Sequence, residues 1–197
     1  MTARKENESI KELFNKILPL SEVSFSKLKT IFNSVSIKKD EVFIKIDQKN
    51  NSEYFIETGF ARSFLVNPEG EEITLSFYKS GNALSPHITR TKLNKSLLNF
   101  QALTSVGLIE FDADQFLNLM IENLEIRNLG NAILLNELIS KTEKEMALAS
   151  LTAKERLIGF RSEFGILENL IAHPIISSYL GITNVSLSRL RNEIAKG

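Results

Sequence analysis

The sequence predicts an α+β protein: short helices, then a barrel or jelly roll of short strands, one long helix, and a terminal helix-turn-helix. Three observations carry this. Residues 35 to about 111 are rich in β-branched and aromatic residues and are cut at short intervals by turn residues. From about 125 to 149 apolar residues recur at helical spacing without a break. Near the end of the sequence, two apolar segments flank Gly181 with no spare residues between them.

The first 34 residues read as two helices. Ile10, Leu13, Phe14 and Ile17 share one face of a helix from Ser9 to Leu18, and Pro19 stops it. Phe25, Leu28, Ile31 and Phe32 repeat the pattern in a helix from Ser21 to Phe32.

Strands are expected at Val42–Ile46, Tyr54–Ile56, Ala61–Val66, Ile73–Tyr78 and Phe100–Val106. Turn residues separate them at Lys49–Ser52, Thr58-Gly59, Asn67–Gly70 and Ser80–Asn82. Many short strands at this spacing suit a barrel or jelly roll. From Asp112 the pattern is helical again.

In the helix from Glu125 to Ala149, Ile126, Leu129 and Ile133 lie on one side. Leu135, Leu138, Ile139, Thr142, Met146 and Ala149 lie on the other. A helix with two apolar faces needs two partners. The barrel can cover one, and the same helix of a second subunit the other, which makes a homodimer.

In the terminal segment, Gly181 suits the left-handed turn that ends the first helix, and Thr183 suits the N-cap of the second. Ile182 is expected to pack between the helices. Leu187, Leu190 and Ile194 fall on one face, ready to dock on Ile176 and Leu180. The other side presents Asn184, Val185, Ser188, Arg189 and Asn192, with Thr183 and Ser186 at its start and Arg191 at its flank. Arginine can pair with guanine and asparagine with adenine in the major groove, while Arg191 suits a phosphate. These residues imply binding to double-stranded DNA. A dimer would place two such helices about 34 Å apart on a palindromic operator.

Composition narrows the remaining classes. Formal net charge is +0, so the chain is no general nucleic-acid coat and its basic character must be local. The segment from His173 onward has Arg189, Arg191 and Lys196 against Glu193. Without cysteine there are no disulfides or thiolate metal sites. The two histidines, His87 and His173, are too few for a cupin-type metal centre, and no metal site is expected. No nucleophile elbow, Walker loop or dinucleotide fingerprint occurs, and Glu71-Glu72 on a strand would point to opposite faces. An enzyme is not expected. A polar start and the lack of a long apolar run predict a cytoplasmic protein without membrane contact.

The order of barrel, long helix and terminal helix-turn-helix resembles the Crp/Fnr family of bacterial transcription regulators. Glu53–Arg62 is similar to the family's barrel strand with its glycine turn, and Asn67–Leu75 to its next hairpin. Ser178–Thr183 with Ser186-Leu187-Ser188-Arg189 resembles a Bacteroidetes-type subgroup. The resemblance implies a sensor barrel of cyclic-nucleotide-binding type over residues 1–124, a dimerisation helix over 125–150 and a DNA-binding domain over 151–197. It also implies RNA polymerase as a further partner. The sequence ends at Gly197, so the β-wing some members carry is not expected.

The family's phosphate cassette pairs Gly-Glu with a later Arg-Ser or Arg-Thr. Here the stretch Gly81–Leu97 has no Gly-Glu, and Ser96 stands about where the arginine belongs. A cyclic phosphate needs a paired cation, so ordinary cyclic AMP binding is not expected. Arg90, Lys92 and Lys95 read first as solvated loop charges. Ser85, His87, Arg90, Lys95 and Ser96 are the residues that could hold another small anionic or nucleotide-like effector. His87, beside Pro86, reads as a surface residue. The competing reading of the whole chain is a ligand-binding or protein-interaction module whose helix-turn-helix no longer binds DNA.

Overall fold

The computed structural model describes residues 10–196, with the side chain of Lys196 outside the description. Ser9, the expected first residue of the leading helix, lies outside it as well. The helical lead is α1 (residues 10–15) and α2 (Glu22–Lys29), and Ser21 caps α2 by accepting from the Ser24 backbone N–H. The expected helix to Phe32 is too long. Phe32 instead opens strand β1 (Phe32–Ile37), where Phe32, Val35 and Ile37 gain cross-strand partners that outweigh another helical turn.

Eight further strands follow: β2 (Val42–Ile44), β3 (Ser52–Thr58), β4 (Phe60–Val66), β5 (Glu72–Lys79), β6 (Thr91–Lys92), β7 (Lys95–Ser96), β8 (Asn99–Ala102) and β9 (Val106–Asp112). All pairings are antiparallel: β1-β9-β3 in one sheet, β2-β8-β4-β5 in a second, and the small hairpin β6-β7. The expected strand Phe100–Val106 is two strands in different sheets, β8 and the start of β9. The turn through Leu103, Thr104 and Ser105 carries the chain from one sheet to the other.

Three apolar cores follow from alternation along these strands. Ile56, Leu108 and Val106 of the first sheet meet Ala61, Tyr78 and Phe100 of the second inside the barrel. Phe55, Ile109 and Phe111 point the other way and pack on Phe14, Phe25, Leu28, Ile126 and Leu129 of the helices. Tyr54, Phe55 and Ile56 are therefore all buried, which is why that run is apolar throughout.

Asp112 caps α4 (Ala113–Glu122), and Asn123 caps α5 (Leu124–Ser150). Gly130 lets the two helices touch, since a β-carbon there would lie 2.5 Å from the Met120 methyl. Ile126 and Leu129 are buried against the barrel. Leu135, Leu138, Ile139 and Met146, on the opposite side, are exposed, Leu138 at 63%. The two-faced pattern read from the sequence is present, with one face covered.

Beyond α5, a reciprocal Thr152–Glu155 capping box starts α6 (Ala153–Phe164), and a 3-10 turn (Gly165–Asn169) leads to α7 (His173–Leu180) and α8 (Asn184–Lys196). The third core joins this end to the barrel: Phe77 of β5 packs with Phe160, Phe164, Ile176, Leu180 and Leu187. Among the described residues no helix is long and apolar enough to cross a membrane.

Candidate nucleic-acid interface and sensor basin

Gly181 adopts φ +65°, and Ile182 N–H donates to Ser177 O at 3.0 Å across the end of α7. A β-carbon on Gly181 would press on Leu148 of α5 at 3.2 Å, so side chains are excluded there on two grounds. Thr183 Oγ1 accepts from the Ser186 N–H at 3.1 Å and starts α8. Leu187 is fully buried, with Leu190, Ile194 and Ile182 half-buried beside it against Ile176 and Leu180. This is the geometry of a helix-turn-helix.

The outer face of α8 is divided. Val185, Ser188, Arg189 and Asn192 are exposed, and no described side chain holds Arg189. Asn184 is exposed, yet its Oδ1 accepts from Ser177 Oγ at 2.6 Å, so it is already engaged in joining α7 to α8. Arg191 pairs with Glu168 at 2.9 Å and also meets His173. Glu168 holds Arg161 as well, through two bonds of 2.7 and 2.8 Å. The Arg161 bond, with the Arg161 and Arg191 charges, holds the Glu168 carboxyl below its ordinary range despite partial burial.

The five residues picked as an effector group do not form one cluster. Arg90 is not a solvated loop charge: it is 1% exposed, donates to Asn50 Oδ1 at 2.7 Å and to Ser52 O, and lies over the Tyr54 ring. The short helix α3 (His87–Arg90) turns it inward, where the Asn50 side-chain oxygen and the Ser52 carbonyl accept from it in place of water. Its Nε is buried without a partner. His87 is half-buried, and its ring lies 2.9 Å from Asn50 O, so it too is held rather than free at the surface. Lys92 and Lys95 are exposed, and Ser96 is buried with its hydroxyl turned to Leu98 O.

Ser85 belongs to a different chain of contacts. Ser63 Oγ lies 3.3 Å from Tyr78 OH, Tyr78 OH lies 2.8 Å from Ser85 Oγ, and Ser85 Oγ donates to Glu137 Oε1 at 2.5 Å. Glu137 pairs with Lys141, whose ammonium donates to Ser76 Oγ. This path runs from the barrel interior to α5 and borders a polar cavity of about 400 Å³. One turn on, Lys144 donates to Leu75 O at 2.6 Å and sits 3.7 Å from the Tyr179 ring centre. Burial, and secondarily the Lys141 charge, bring the Lys144 ammonium down to about 7. Burial lifts the Tyr179 phenol to about 12. The sequence reading missed Tyr78, Glu137, Lys141 and Lys144. For the three on α5 the signal was that positions 137, 141 and 144 share one helical face.

Residues 34–123 match the cyclic nucleotide-binding domain family. An anaerobic regulatory protein of Aggregatibacter actinomycetemcomitans is 25% identical over 81% of this chain and 66% of its own length. The chain thus spans about two thirds of that relative. FixK2 from Bradyrhizobium japonicum superposes with a TM-score of 0.69 at 21% identity, covering 84% of this chain and 85% of its own. A Crp/Fnr regulator from Eubacterium rectale superposes with a TM-score of 0.71 at 16% identity, over 90% and 85%. Residues 34–123 are thus similar to a cyclic nucleotide-binding domain, and α5 joins them to the helix-turn-helix. The chain shares its fold with FixK2 and with the Crp/Fnr regulator from Eubacterium rectale.

Proposed function

We propose that the chain is a homodimeric, sequence-specific regulator of transcription that binds palindromic double-stranded DNA. The observation that carries this is the α7–Gly181–α8 geometry, with Val185, Ser188, Arg189 and Asn192 exposed on α8. Arg189, held by no described side chain, is the residue best placed to read a base. Thr183, Ser186 and Asn184 order the helix start, and Arg191, tied to Glu168, anchors α8.

The exposed face of α5 at Leu135, Leu138, Ile139 and Met146 is assigned to the second subunit. Residues 1–124 act as the sensor unit, 125–150 as the dimer helix, and 151–197 as the reader. RNA polymerase is the further partner. Ordinary cyclic AMP is not the effector in this reading, since Ser96 places a hydroxyl bound to Leu98 O where a phosphate would need a cation. The test is a gel-shift titration of wild type and Arg189→Ala on DNA recovered by selection. A loss of about 1–3 kcal/mol is expected for a bidentate guanine contact. Unchanged affinity would remove Arg189 from the interface.

A further inference from the structure

A second cavity, of about 540 Å³, lies between strand β3, the helices α4 and α5, and the segment carrying α3 and the β6-β7 hairpin. It is separate from the Ser63–Tyr78–Ser85 path. Its volume is that of a small-molecule site. Phe14, Phe55, Phe111 and Phe116 wall it, with Phe14 stacked on Phe55 at 4.4 Å and Phe111 on Phe116 at 5.7 Å. Its ionisable lining is Glu53, Tyr54, His87 and Asp114. Among the described residues no lysine or arginine lines it. Arg90 stands one layer back, occupied by Asn50 and Ser52.

The mouth gives a second, independent observation. Leu93, at the tip of the β6-β7 hairpin, is 90% exposed and holds φ +52°, a conformation a leucine rarely adopts. Ile88 on α3 is 76% exposed beside the same opening. Backbone strain and exposed apolar side chains gather at the rim of an apolar cavity, where a ligand would cover them.

We infer that this cavity binds an uncharged, largely aromatic small molecule and excludes anions. An anion would enter an apolar wall without a cation to pair with and would face Asp114 at the rim and Glu53 within. Burial keeps the Glu53 carboxyl above its ordinary range, partly countered by the His87 backbone N–H and the Arg90 charge, which suits a neutral occupant. The inference rests on reading residues 1–124 as a sensor. The cavity reaches α5 at Leu129, Ile133 and Leu134, so an occupant would touch the helix assigned to the dimer.

The test uses the full chain with two fluorescent probes of the same frame, neutral N-phenyl-1-naphthylamine and its anionic sulfonate, 1-anilinonaphthalene-8-sulfonate. The neutral probe is expected to bind saturably, and the sulfonate at least about tenfold more weakly. Ala83→Phe, which fills the cavity from β3's side, is expected to abolish binding. Asp114→Lys, at an exposed position, is expected to bring the two affinities together. Equal affinities in wild type, or undiminished binding to Ala83→Phe with native circular dichroism, would overturn the inference. DNA retention is measured on the same samples. Probe binding without DNA enrichment would leave the cavity standing and overturn the regulator reading; DNA enrichment without saturable probe binding would do the reverse.

Discussion

Thr74 of β5 and Ser178 of α7 join the barrel to the helix-turn-helix. The Thr74 backbone N–H donates to Ser178 Oγ at 3.2 Å, and the two hydroxyl oxygens lie 3.1 Å apart. Thr74 Oγ1 also accepts from Arg62 at 3.1 Å, and Arg62 is itself 2% exposed, held by Gln101 and Glu72. A buried arginine of the second sheet is therefore two hydrogen bonds from α7, the first helix of the helix-turn-helix. Thr74→Val keeps the shape and removes the hydroxyl. It is expected to cost about 1–3 kcal/mol, because Arg62 loses a buried acceptor. Ser178→Ala should cost about 1 kcal/mol. Urea midpoints measure both; two wild-type midpoints would mean the junction is not closed in solution.

Lys144 adds a pH dependence to the same junction. With its ammonium near 7 against an ordinary 10.5, the folded chain holds fewer protons than the unfolded chain between these values. Stability from this group therefore rises with pH across that window and is flat below it. Tyr179, raised to about 12, has the opposite effect only above pH 10. Lys144→Met should flatten the rise in unfolding free energy between pH 7 and 9.5 by roughly 1–2 kcal/mol, after solvent screening, read from urea melts at each pH. Parallel profiles for variant and wild type would contradict the burial of Lys144.

Much of this arrangement was legible in the sequence. Gly181 with Thr183 located the turn, and the phases of Ile126, Leu129, Leu135 and Leu138 gave α5 its two faces, because both signals are local. The end of α2 and the division of β8 from β9 were not. Phe32 and Val106 are decided by cross-strand partners dozens of residues away. The same holds for the site. Leu187 could be assigned inward from its period, but the burial of Arg90 depends on Asn50 and Ser52, which the chain brings up from another strand segment. The period of α8 puts Arg191 at the flank, but its pairing with Glu168 depends on a residue more than twenty positions earlier.

The two arginines of α8 should therefore separate. Arg189→Ala is expected to weaken DNA binding without changing the urea midpoint. Arg191→Ala leaves Glu168 with one cation fewer and is expected to cost up to about 1 kcal/mol of stability, with a smaller effect on DNA. Paired unfolding and gel-shift titrations check this, and a reversed pattern would exchange their roles.

Leu138 tests the second subunit. Leu138→Glu puts a charge in the middle of the exposed α5 face and should weaken self-association by at least about tenfold, read by sedimentation velocity. Wild-type protein that sediments as a monomer at every concentration would place the partner of α5 elsewhere.

The most direct measurement is selection of bound sequences from a random duplex pool by the purified protein at near-physiological salt. The expected result is a palindrome whose half-sites lie about one helical turn apart, the signature of two α8 helices in one dimer. Selection that enriches nothing, with and without the neutral naphthyl probe, would contradict the account of this chain as a dimeric DNA-binding regulator.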